Sequence, residues 1–219
     1  MKKILLLTSL TAFIALTASA GPVSFNTTGV FSCNAVASCV ASSNGGTNNV
    51  VTVNGISVTY NSTINTLTAP TFTDFGTLTS ACTNAGCSAS PSNLIGVTLL
   101  LTITQTVPSA GSGSFGTATL AGTITGAGQS SAQINFSASN TTSQLCPQSC
   151  PGVYINPGPG QVLYQITNGS KSIVPPTSGN LPGLTTLQGA VTDSPEPVSM
   201  SLVGIGLVAL ASARRWKRA

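Results

Sequence analysis

Apolar and polar residues alternate with a period of two through most of the chain, the spacing that puts successive side chains on opposite faces of a strand. The clearest case is Val51, Thr52, Val53, Asn54, Gly55, Ile56, Ser57, Val58. Asn-Gly favours the two-residue type I′ turn, because both central residues of that turn need positive φ. Such a turn pairs Val53 with Ile56 and Val51 with Val58, so four branched side chains are predicted on one face. A longer strand is predicted where Val97, Leu99, Leu101 and Ile103 alternate with Thr98, Leu100, Thr102 and Thr104. Leu100 in the polar row predicts partial cover on that side as well.

Further strands are predicted at about 117–125, 132–138 and 162–167, the last followed by a second Asn-Gly turn at Asn168 and Gly169. Gly111, Gly113 and Gly116 read as a Gly-rich hairpin loop. A dinucleotide fingerprint is excluded there, because alternating Thr and Ala follow and no acidic residue lies about 20 positions on. Short strands divided by Gly and Pro clusters, with no amphipathic helix between the two ends, predict an all-β body, an antiparallel sandwich or jelly-roll-like fold. A single β-rich domain is expected over 21–174. From 175 to 194, Pro175, Pro176, Gly179, Pro182 and Gly183 dilute the alternation. That stretch reads as a Pro/Gly-rich linker with room for one last edge strand.

Both ends depart from this pattern. Met1, Lys2 and Lys3 precede an apolar run from Ile4 to about Leu16, and Ala18, Ser19 and Ala20 have the small-x-small form of a signal-peptidase site. Residues 1–20 are therefore expected to be a cleaved signal peptide, with the mature chain beginning at Gly21. The apolar run is shorter than the roughly 20 residues of a spanning helix. With the ends set apart, charge nearly vanishes: from Gly21 to Ser194 only Asp74, Lys171 and Asp193 carry it. Phosphate recognition needs clustered Lys and Arg, so nucleic acid is excluded as a partner. Low charge with abundant β-branched residues describes a folding Ser/Thr-rich extracellular chain and not a disordered one.

The six cysteines fall in three close pairs, Cys33 and Cys39, Cys82 and Cys87, Cys146 and Cys150. Behind a signal peptide they meet an oxidising compartment, and disulfides are the expectation. Six cysteines allow fifteen connectivities; bridging within each close pair is the preferred one, with the bridges pinning loop tips. Each closes a small loop, for a chain-entropy gain of about 2 kcal/mol. No spacing matches a zinc knuckle or a redox Cys-x-x-Cys, and the chain has no His. No metal or cofactor is implied.

The most specific pattern closes the chain. Pro195, Glu196 and Pro197 precede an almost wholly apolar run from Val198 to Ala213, then Arg214, Arg215, Trp216, Lys217 and Arg218. The prolines hold the approach extended. The run is about 16 residues, or roughly 24 Å as a helix, a marginal span for a hydrocarbon core of about 30 Å. Arg214, Arg215, Lys217 and Arg218 form a membrane stop that keeps the extreme C-terminus cytoplasmic, and Trp216 suits the interface. The body then faces the periplasm.

Motif, apolar helix and Arg cluster, in that order, resemble the PEP-CTERM sorting domain of Gram-negative bacteria. The resemblance covers only the last 25 or so residues, 195–219. It implies a substrate and not an enzyme. An exosortase-type protease would process the tail near Pro195, Glu196 and Pro197, after the export machinery has delivered the chain and while the 198–213 transmembrane helix holds it transiently in the inner membrane. It also implies a link to exopolysaccharide and biofilm, and a final place on the outer surface or outside the cell.

The body itself offers little to proton-transfer catalysis. Without His there is no Ser-His-Asp or Cys-His arrangement, and Asp74 alone cannot supply the paired carboxylates of a glycosidase. Asp74, between Phe72 and Phe75, reads as a turn or loop carboxylate, and one Asp cannot build a calcium site. No enzyme is expected. The alternative reading is a lectin-like carbohydrate-binding module. For that the body offers Tyr60, Tyr154 and Tyr164 as platform aromatics, its Phe residues being expected in the core.

Overall fold

The structure, a computed structural model, describes residues 21–34, 38–43, 49–83, 91–126, 128–156, 161–177, 181–193 and 206. Among these the regular secondary structure is almost entirely strand. In chain order they are β1 (Pro22–Cys33), β2 (Cys39–Ser42), β3 (Val50–Val53), β4 (Ile56–Asn61), β5 (Ile64–Thr68) and β6 (Thr71–Cys82). There follow β7 (Ser92–Asn93), β8 (Val97–Val107), β9 (Gly111–Ala121), β10 (Thr123–Ile124) and β11 (Gln133–Asn135). The last are β12 (Asn140–Thr141), β13 (Cys150–Ile155), β14 (Val162–Ile166), β15 (Ser170–Ser172) and β16 (Gly183–Asp193).

Two large sheets result, a six-stranded one in the order β15-β11-β9-β8-β1-β5 and an eight-stranded one in the order β12-β13-β14-β16-β6-β4-β3-β2. β7 and β10 form a small pair of their own. All the pairings are antiparallel. The sheets face each other across an aromatic centre. Phe25 of β1 lies 5.7 Å from Phe75 of β6 and 5.3 Å from Tyr164 of β14, both edge-to-face. Phe115 of β9 reaches Phe75 at 5.5 Å. Ring pairs at these separations add about 0.5–1.5 kcal/mol each beyond the area they bury.

The hairpin at 51–58 forms as its turn chemistry predicts. Asn54 and Gly55 take φ of 47° and 82°, Val53 pairs with Ile56 and Val51 with Val58, and all four side chains are buried. In β8, Val97, Leu99, Leu101 and Ile103 face the core, while Leu100 is 40 % exposed on the other side. Gln105 continues the buried row: its Oε1 accepts from the Tyr164 hydroxyl at 2.8 Å and its Nε2 donates to the Ser109 carbonyl at 2.9 Å.

Several expectations are corrected. The stretch read as a linker over 175–194 contains β16, which is no edge strand but lies between β14 and β6 in the middle of the eight-stranded sheet. The body therefore runs past 174 to Asp193. β16 escapes an apolar pattern because Thr185 and Gly189 occupy buried positions beside Leu187 and Val191. A Cβ on Gly189 would run into the Phe75 ring, so the neighbouring strand's aromatic supplies the bulk that β16 lacks.

Gly111 and Gly113 are likewise in a strand and not in a loop. A Cβ on Gly113 would come within 2.7 Å of Val153 Cγ2, so these glycines let β13 approach β9 closely. Gly116, with φ of 71°, sits where the β8–β9 register shifts. Asn168-Gly169 is not a second type I′ turn. It connects β14 and β15, which belong to different sheets, and Asn168 is not among the residues of positive φ.

Candidate functional site

The first and last described residues of the body meet at one place. β1 begins the six-stranded sheet at Pro22, paired with Thr68 of β5, and β16 ends in the eight-stranded sheet at Asp193, paired with Val162 of β14. Sheet-on-sheet packing brings these two ends together. The Gly21 N–H donates to Asp193 Oδ2 at 3.0 Å, and the Gly21 carbonyl accepts from the Ala69 N–H at 3.3 Å. Both Gly21 and Asp193 are half-buried. The expected mature N-terminus thus meets the residue that stands two positions ahead of Pro195. Of the residues assigned to sorting, Ala18, Ala20, Pro195, Glu196, Pro197, Arg214, Arg215, Lys217 and Arg218 lie outside the described residues, as does the 198–213 helix. Among the described residues no helix is long and apolar enough to cross a membrane.

The cysteines pair locally where they are described. Cys33 bridges Cys39 with their Cα atoms 5.9 Å apart, and Cys146 bridges Cys150 at 6.1 Å. Cys82, at the end of β6, is disulfide-bonded too, while Cys87 lies outside the described residues. The first bridge is more than a pinned loop tip, since it joins the end of β1 in one sheet to the start of β2 in the other. The second introduces β13. Bridges of this kind are compatible with an exported protein or an oxidising compartment.

Asp74, Tyr60 and Tyr164 are engaged structurally. Asp74 is on β6 and not in a turn or loop, and Asn65 Nδ2 donates to its Oδ1 at 3.1 Å and to its carbonyl at 3.2 Å. The Tyr60 hydroxyl donates to the Phe75 carbonyl at 2.6 Å and lies 2.6 Å from Thr27 Oγ1, which ties β4 to β1 across the core. Burial pushes the Tyr60 and Tyr164 phenols up, well above the ordinary tyrosine value, so both stay neutral at any physiological pH. Tyr60→Phe leaves the Phe75 carbonyl buried without its donor, and a loss of about 1–3 kcal/mol is expected in urea unfolding. An unchanged midpoint would mean that the Tyr60 hydroxyl contributes nothing to stability.

Exposed aromatics are few but present. Tyr154 of β13 is 46 % exposed, and Phe72 of β6, expected in the core, is 61 % exposed on the same eight-stranded sheet. The sequence signal for Phe72 was its parity: it stands three positions from Phe75, which strand alternation cannot place on the same face without a bulge. Among the described residues no cluster of His, Cys, Asp or Glu could hold a metal ion. Compared with family models, with curated proteins and with solved structures, the chain matches none.

Proposed function

We propose that this chain is an exported, non-enzymatic cell-surface or extracellular-matrix protein, sorted through a PEP-CTERM-like signal and linked to exopolysaccharide or biofilm. The observation that carries the reading is the order of elements in the tail: Pro195, Glu196 and Pro197, then the apolar run 198–213, then Arg214, Arg215, Lys217 and Arg218. The body supports it. Its last strand ends at Asp193, two positions before Pro195, and Gly21, the expected mature N-terminus, lies beside that end at one pole of the body. An exosortase-type enzyme then finds its motif next to a folded, disulfide-bonded domain while the helix holds the chain in the inner membrane.

In this reading Glu196→Ala leaves export and helix insertion intact and blocks processing, so a longer, inner-membrane form accumulates in envelope fractions. Equal processing of the variant and the wild type would remove the motif from the account. The lectin-like alternative has one observation in its favour, the exposure of Phe72 and Tyr154 on one sheet. Selective binding on a glycan array, lost in Phe72→Ala and Tyr154→Ala, would establish it over a purely structural role.

A further inference from the structure

We infer that removal of residues 1–20 also creates a ligand for Asp193: the α-ammonium of Gly21, which closes an ion pair that the uncleaved chain lacks. The inference rests on the processing reading above, since it needs a cut between Ala20 and Gly21. In the intact chain the Gly21 nitrogen is a neutral amide with one N–H, and that N–H points at Asp193 Oδ2 from 3.0 Å. Hydrolysis of the Ala20–Gly21 bond adds one water: Ala20 keeps the new carboxylate, and Gly21 becomes a primary amine that takes up a proton. With an ordinary α-amino pKa of about 8, that amine is mostly cationic at neutral pH. The donor atom does not have to move. Only its charge changes, so that a neutral N–H donor to the Asp193 carboxylate becomes a cationic one and the hydrogen bond becomes an ion pair.

The surroundings suit a single latch. Between Gly21 and Asp193 the other charged residues are Asp74 and Lys171 alone. Asp74 is held by Asn65, and Lys171 is on β15, the edge strand of the six-stranded sheet farthest from β1 and β5. Both partners of the latch are fixed by backbone pairing: Gly21 by the Ala69 N–H and the Pro22–Thr68 register, Asp193 by its pairing with Val162. The order needed to form the pair is therefore already present, and half-burial protects it from full solvent screening. Cleavage at one end of the body fastens the first strand of one sheet to the last strand of the other, at the strand end that leads into Pro195.

The test uses protein collected from the envelope, with its N-terminus read by mass spectrometry, in four forms. These are the wild type, Asp193→Asn, a chain with one alanine inserted ahead of Gly21 and retained after cleavage, and the combination. Each single change is expected to lower Tm by about 2–4 °C, the shift one such interaction gives in a domain of this size. The combination should melt with Asp193→Asn, because once the carboxylate is gone the charge on the Gly21 nitrogen has no partner to meet. Unchanged Tm in either single variant overturns the latch, as do fully additive losses, which would mark Asp193 as structural in both backgrounds. A wild-type chain that does not begin at Gly21 overturns the processing reading along with the latch, whereas negative melts of a chain that does begin there overturn the latch alone.

Discussion

A chain ended after Val174 is expected not to fold, whereas one ended after Asp193 folds. The missing piece in the shorter chain is β16, which pairs on one side with β14 over Val162–Ile166 and on the other with β6 over much of its length. Its loss divides the eight-stranded sheet into two pieces, each with a new open edge. Unpaired edges and an uncovered apolar face leave such pieces marginal in water. Leu187 and Val191 leave the core with it, and the Phe75 ring loses the strand on which it rests. With a total stability of about 5–15 kcal/mol in a domain of ordinary size, the loss of a central strand exceeds the margin. Circular dichroism and protease resistance of the two truncations decide this. A cooperative melt of the chain ended at Val174 would show that 175–193 is an appendage after all.

Phe75→Ala is expected to be the most damaging single change. Phe75 is fully buried, meets Phe25 and Phe115 from the opposite sheet and Tyr164 from its own, and lends its carbonyl to Tyr60. Deleting a buried Phe ring costs about 3–5 kcal/mol, more where the surroundings cannot collapse. Collapse is hindered here because the ring lies over Gly189, which has no side chain to swing into the space. The midpoint of thermal unfolding should fall by roughly 10 °C or more. A loss below about 1 kcal/mol would mean that the aromatic centre does not hold the sheets together.

The packing of Phe75 on Gly189 also shows why part of the fold could be read from the sequence and part could not. The 51–58 hairpin and β8 were legible because each carries its own hydrophobic row, and in the hairpin the Asn-Gly turn fixes the register independently. β1 and β16 were not, although both lie in the interior of their sheets. The inward row of β1 includes Thr27 and Gly29 between Phe25 and Phe31, and a Cβ on Gly29 would come within 2.5 Å of the Tyr60 ring. In both strands a partner's aromatic ring fills the volume that the strand's own side chains leave. Hydrophobic periodicity records what a residue brings to the core and not what its partner brings. The same limit hid the pole. No local pattern predicts that Gly21 and Asp193, 172 positions apart, share a hydrogen bond. The tail motif, by contrast, is contiguous in the sequence and lies outside the described residues.

The central claim is that this body is delivered by two sorting segments, both lost or processed in the finished protein. Intact-mass measurement of the protein from the envelope of a cell with an active sorting system tests it most directly. The account predicts a chain that begins at Gly21, carries no free thiol, and ends near Pro195, Glu196 and Pro197, without the apolar run and the Arg cluster. A mature chain that still ends at Ala219 would contradict it.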